Sequence, residues 1–220
     1  MVGMQNLPVI DAHAHVDGDH AESAAAFAEL NVRLLNVALA WDETDKWKGA
    51  SEAYMYGRPG APSHEETMAA RDRLVEKHPK LKVIGAHLAS LEHDMKGIAA
   101  RFDRYPNFAI DTSARVMDLA AWGGGACDFC VKYQDRILFG TDLGSDGPHS
   151  KMDGKERARA IATAKRAYDL SRSFFTSPDD MEWGWWDEKK RIRGLGLPAD
   201  VAAKILSGNA LRWIPGLAAR

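Results

Sequence analysis

Cysteine is almost absent from this chain. Cys127 and Cys130 are the only two among 220 residues. That is too few for the disulfide framework of a small secreted fold, and it fits a reducing compartment. Their C-x-x-C spacing suits redox or zinc chemistry, but with no second pair, two buried or idle thiols are the simpler account. Long apolar runs are missing too. None approaches the roughly 20 residues that span a bilayer, so no membrane role is expected. The opening "MVGMQNLPVIDAH" lacks the basic segment and apolar core of a signal peptide, which makes the cytoplasm the expected location. Charge is nearly balanced, at −2 with a pI of about 6.4, without the basic footprint of a nucleic-acid binder. What is present is 45% hydrophobic and 27% charged residues, enough for one real core. Residues 1–220 read as a single domain, with neither repeats nor a low-complexity tail.

Strand and helix patterns alternate along the chain. "PVIDAHAHV" reads as a first strand and "AESAAAFAELN" as a short helix. "VRLLNVALAW" is a buried strand, followed by a polar, Gly- and Pro-containing connection. Ser63 and Glu66 form a capping box opening the helix "HEETMAARDRLVEKHP", which Pro79 ends. "LKVIGAHLAS", "NFAIDTSA" and "RILFGTDLGSDG" are further strands. Between them "LEHDMKGIAARFDRYP" is helical, and "DLAAWGGGACDFCVKYQD" is helical in part, broken by Gly123, Gly124 and Gly125. Last come the helix "KERARAIATAKRAYDLSRSFF", a Trp-rich loop "MEWGWWDEKKR" and the helix "PADVAAKILSGNALRWI". The alternation predicts βα units around a parallel sheet.

Four polar residues fall at strand C-terminal ends: His13, His15, His87 and Asp142. In a (β/α) barrel that face carries the active site. His13 and His15 are two apart on one strand and share a face, so both imidazoles can grip one ion. An H-x-H pair with a strand-end aspartate offers three ligands of the type zinc takes, and a further histidine can polarise an oxygen or move a proton. Each has a plainer account: the imidazoles as half-buried histidines, Asp142 as a turn or capping residue, His87 as a hydrogen-bonded core residue. His20, His78, His93 and His149 read as solvated, and His64 as a helix N-terminal position. Arg115, just past a strand end, pairs with a substrate carboxylate or is a surface arginine. Trp183, Trp185 and Trp186 line a pocket or pack a C-terminal flap.

These stretches resemble the amidohydrolase-related branch of the amidohydrolase superfamily. Its members are metal-dependent TIM-barrel enzymes, including aminocarboxymuconate-semialdehyde and resorcylate-type decarboxylases. The resemblance is carried by "VIDAHAHV", "SHEETMAARDRLVEKHPKLKVIGAHLASLEHD", "RYPNFAIDTSAR", "KYQDRILFGTDLG" and "ILSGNALRWIPG", in the family's order. It implies that His13, His15 and Asp142 hold Zn2+ or another divalent metal. It further implies that Asp142 can accept a proton, that His87 works on the substrate or bound water, and that Asn209 and Arg212 belong to a structural closing helix.

The resemblance also exposes a gap. Five strands are expected, around Val9, Leu35, Ile84, Phe108 and Leu138, where a TIM barrel has eight. The bridge "DETDKWKGASEAYMYGRP" stands in place of the third to fifth strands, with the join near residues 47–51, and the fifth-strand histidine has no counterpart. The expected fold is therefore α/β, an incomplete or modified (β/α) TIM-type barrel of about five parallel strands. Its open edges and unburied apolar faces would favour a homodimer. The expected function is a metal-dependent hydrolase acting on a small carbonyl or carboxylate-containing substrate through metal-activated water. A decarboxylase of the same family, or an inactive remnant serving as a binding or assembly module, are the alternatives.

Overall fold

The structure, a computed structural model, describes residues 7–15, 25, 27–36, 60, 62–144, 152–184 and 189–217. The join near 47–51, His20, His149, Trp185 and Trp186 lie outside the described residues. Strand β1 (Val9–His15) pairs in parallel with β2 (Val32–Asn36). Strand β3 (Val83–Gly85) pairs in parallel with β4 (Phe108–Asp111). The run "RILFGTDLG" bridges the two halves. Its first segment, β5 (Ile137–Leu138), pairs with β4, and its second, β6 (Leu143–Gly144), pairs with β1, both in parallel. Backbone bonds from Ala12 to Phe139 (2.9 Å) and from Asp142 to His13 (2.8 Å) continue the join. The result is one arc in the order β2-β1-β5/β6-β4-β3. All five expected strands are in it, and among the described residues β2 and β3 do not pair with each other, so the arc does not close.

The two faces of the arc are sorted by strand alternation. Val9, Phe108, Ile110, Ile137 and Phe139 pack with Phe102, Phe129, Tyr168 and Phe175. These partners come from helices α1 (Met95–Arg104), α2 (Gly124–Lys132) and α3 (Gly154–Thr176). Burying each such side chain contributes about 1.5–3 kcal/mol. The opposite face, Ile10, Ala109 and Leu138, is covered by Ala210 and Trp213 from the C-terminal helix (Asn209–Trp213). Among the described residues this inner face is covered, not left as the unburied apolar face expected. Asn209 is structural as expected: its side-chain amide donates to the carbonyls of Gln134 (2.6 Å) and Ile137 (2.7 Å), anchoring that helix beside β5.

Three further expectations change. The strand expected over "LKVIGAHLAS" ends at Gly85. Of the three glycines in "AWGGGAC", only Gly123 breaks the helix, at φ 59°, while Gly124 and Gly125 open α2. The Trp-rich loop is an antiparallel hairpin of Asp180–Trp183 with Lys190–Arg193. Its turn chemistry is not legible in "WGWWDEKK", which lacks the Asn-Gly or Asp-Gly signature of a tight hairpin. The Ser63–Glu66 capping box forms as read, at the head of the helix His64–Lys77.

Candidate metal centre

Strict alternation along β1 would send His13 the way of Asp11, toward the helices. It does not, because β1 is irregular against β2: Asp11 opposes Leu34 and Ala14 opposes Asn36, so three steps on one strand match two on the other. Such a bulge re-aims the residues after it. Asp11 therefore faces Tyr168 of α3, whereas His13 faces Asp111 at the end of β4.

Here three donors converge. His13 Nε2 lies 3.3 Å from His15 Nε2 and 3.5 Å from Asp142 Oδ1, and His15 Nε2 lies 3.1 Å from Asp142 Oδ1. Two ligands bound at about 2.0–2.1 Å with a tetrahedral angle between them stand about 3.3 Å apart, so this donor set fits one ion. A ring nitrogen of His87 joins in, with its own, a His13 and an Asp142 donor atom all within 4.8 Å of one another. Asp142 reaches the group by adopting φ 63°, a conformation that aspartate tolerates better than most side chains. Gly140 lets the strands approach: a Cβ there would stand 3.0 Å from His13 Cβ and 3.2 Å from Ser113 Cβ.

Behind these donors lies a shell that sequence reasoning missed. Asp111 Oδ2 accepts from His13 Nδ1 at 2.9 Å, and Asp111 Oδ1 accepts from the His87 N–H at 2.8 Å and the Ser113 N–H at 3.1 Å. Burial pushes the Asp111 carboxyl up, but the bonds from His13 and Ser113, the imidazole charge and the His87 N–H outweigh it and hold the group below the usual carboxylate range. Burial likewise opposes protonation of His13, yet the Asp111 bond and the charges of Asp111, Asp142 and Asp11 together raise its pKa. Asp11 accepts from the N–H groups of His13 and Thr141, the Thr141 hydroxyl and the Tyr168 phenol. Burial still pushes its carboxyl up to about 6. Both aspartates lie inside quoted stretches, "VIDAHAHV" and "RYPNFAIDTSAR", but each only interrupts or ends an apolar strand, which gives no role by itself.

His87 is not on a strand. It opens a left-handed turn, His87 to Ser90, with φ of 56°, 53°, 60° and 55° and no glycine. Each such residue costs about 1–2 kcal/mol, so the turn is held from outside. Arg71 Nη1 donates to the Ala89 carbonyl at 2.6 Å, and His64, expected only to begin a helix, donates from Nε2 to the Ser90 carbonyl at 2.7 Å. His87 Nδ1 donates to the Ser113 carbonyl at 2.9 Å, a partner that only accepts, so Nδ1 carries a proton and Nε2 is not used by this bond.

Of the other expected sites, Trp183 borders this cluster and the cysteines do not. Cys127 and Cys130 are free thiols on α2, with Cys130 buried and pushed up to about 12 by that burial. Arg115 is half-buried, 3.9 Å from carboxylate oxygens of Glu92 and Asp118. Trp183 lines, with Val116, Met117 and Ser171, a mostly apolar recess of about 190 Å³ that reaches Asp142. His78 and His93 lie away on a helix end and a surface loop.

A family model described as Amidohydrolase matches residues 47–215. The chain belongs to that amidohydrolase family. The match contains His87, Asp111 and Asp142, while His13 and His15 precede it. The family implies a TIM-type barrel; the described residues form a parallel α/β arc without a complete barrel. No curated protein and no solved structure matches the chain. Among the described residues no helix is long and apolar enough to cross a membrane.

Proposed function

We propose that the chain is a metal-dependent hydrolase acting on a small carbonyl compound, with His13, His15 and Asp142 holding one divalent ion, zinc by its nitrogen-and-carboxylate donor set. The observation that carries this reading is the mutual spacing of the three donors, 3.1–3.5 Å. A bound ion of this kind polarises an oxygen and lowers the pKa of water to about 7. The chain's own residues supply the rest. His87, its Nδ1 committed to Ser113, keeps Nε2 for taking up and returning a proton. Asp142, about 30% exposed, has a second carboxylate oxygen for orienting a nucleophile. The recess between Val116, Met117 and Trp183 seats the apolar part of the substrate beside Asp142.

The test is turnover of a panel of small esters and amides by zinc-loaded protein. Hydrolysis that disappears in His13→Ala and falls in His87→Ala supports the reading. Release of carbon dioxide from carboxylate compounds without hydrolysis would favour a decarboxylase. Neither activity, with no metal retained, would leave a non-catalytic remnant.

A further inference from the structure

We infer that Asp111 is the positioning residue of the centre: it sets the tautomer of His13, and through it the affinity for a divalent ion. This rests on the metal reading above and goes beyond it.

The donors and acceptors around His13 Nδ1 fix its tautomer. His13 Nδ1 lies 2.9 Å from Asp111 Oδ2 and 3.0 Å from Ser113 Oγ. The Ser113 hydroxyl proton is already given to Asp111 Oδ1, at 2.5 Å. Both neighbours of His13 Nδ1 therefore accept. The proton sits on Nδ1, and the Nε2 lone pair points at His15 and Asp142. The same carboxylate takes the His87 N–H on Oδ1, so one group fixes His13 in rotation and protonation and His87 in position. Asp111 touches no donor atom of the ion site; it acts only through the histidines. Carboxylates in this place orient ligand imidazoles and raise their basicity.

Asp111→Asn makes a sharp test because its orientation is forced. Three donors converge on Oδ1: the N–H groups of His87 and Ser113 and the Ser113 hydroxyl. The amide oxygen must stay there, which turns the amide NH2 toward His13 Nδ1. An NH2 donates, so Nδ1 must accept and the ring proton moves to Nε2, where it blocks a ligand position.

The measurements are nitrogen–proton correlation spectra of the histidine rings in metal-free protein and zinc affinity by chelator competition, on wild type and Asp111→Asn, with thermal unfolding to check the fold. Cys127→Ser, on α2, is the control. The expected result is Nδ1–H on His13 in wild type, Nε2–H in the variant, and zinc affinity 10–100-fold weaker in the variant but little changed in Cys127→Ser. An Nε2–H tautomer in wild type overturns the proposal without any variant, so it stays testable even if Asp111→Asn does not fold. Equal zinc affinity in wild type and a folded Asp111→Asn overturns it as well. A wild type that takes up no zinc fails the metal reading instead.

Discussion

Asp11 holds Thr141 twice, accepting its N–H on Oδ1 at 3.1 Å and its hydroxyl on Oδ2 at 2.5 Å. The contact ties the strand carrying His13 to the segment carrying Asp142. It also leaves a carboxylate fully buried among hydrogen bonds that do not offset its desolvation, so its pKa stands at about 6 against an ordinary 3.8. The fold thus favours the protonated acid: the contribution is most favourable below pH 4 and is lost as pH rises through 6. A two-unit shift corresponds to about 3 kcal/mol. Asp11→Asn keeps an acceptor for both N–H groups, and its amide can donate to Thr141 and Tyr168. In chelator-treated protein, chemical denaturation at pH 4 and pH 7 should show the variant gaining on wild type by up to about 3 kcal/mol. Parallel stability–pH profiles would contradict the assignment.

Gly140 is where strand packing sets the ligand geometry. An alanine Cβ, 3.0 Å from that of His13, has to displace either His13 or Ser113. Gly140→Ala should lose about 1–3 kcal/mol of stability and bind zinc more weakly than wild type. An unchanged zinc affinity would mean that this contact does not place the imidazole.

The left-handed turn after β3 carries strain that a glycine can relieve. Ser90 is exposed, has φ 55° and ends the turn. Ser90→Gly should raise stability by about 1 kcal/mol, the penalty of a side chain in this conformation reduced by the looser unfolded chain. The Ser90 carbonyl that His64 grips is kept, so zinc affinity should not move. A destabilised variant would show that the turn is not strained.

The cysteine pair serves as the internal control. Cys130 is buried with its thiol pushed up to about 12, which suppresses the reactive thiolate. In native protein a thiol reagent should modify Cys127 well before Cys130, and the Cys127→Ser, Cys130→Ser variant should keep its zinc. Zinc lost with the thiols would move the metal to α2.

Much of the arc is legible in the sequence, because five apolar runs with strand-end polar residues are a local signal. His13, His15, His87 and Asp142 could be gathered for the same reason. The partners that orient them could not. Asp111 meets His13 across 98 residues and Tyr168 meets Asp11 across 157, and no spacing announces such pairs. The bulge in β1 was hidden as well: alternation alone puts Asp11 and His13 on one face, and pairing with β2 decides otherwise. The turn at His87 escaped because left-handed backbone is ordinarily read from glycine, and "HLAS" has none. Three outside clamps, from Arg71, His64 and Asp111, make up for it.

The most direct test of the centre is zinc X-ray absorption on the purified, zinc-loaded chain and on His13→Ala, His15→Ala. One zinc per chain is expected, with nitrogen and oxygen neighbours at about 2.0–2.1 Å and imidazole scattering, and the double variant is expected to lose it. Sulfur neighbours near 2.3 Å, or a spectrum the double variant leaves unchanged, would contradict that expectation.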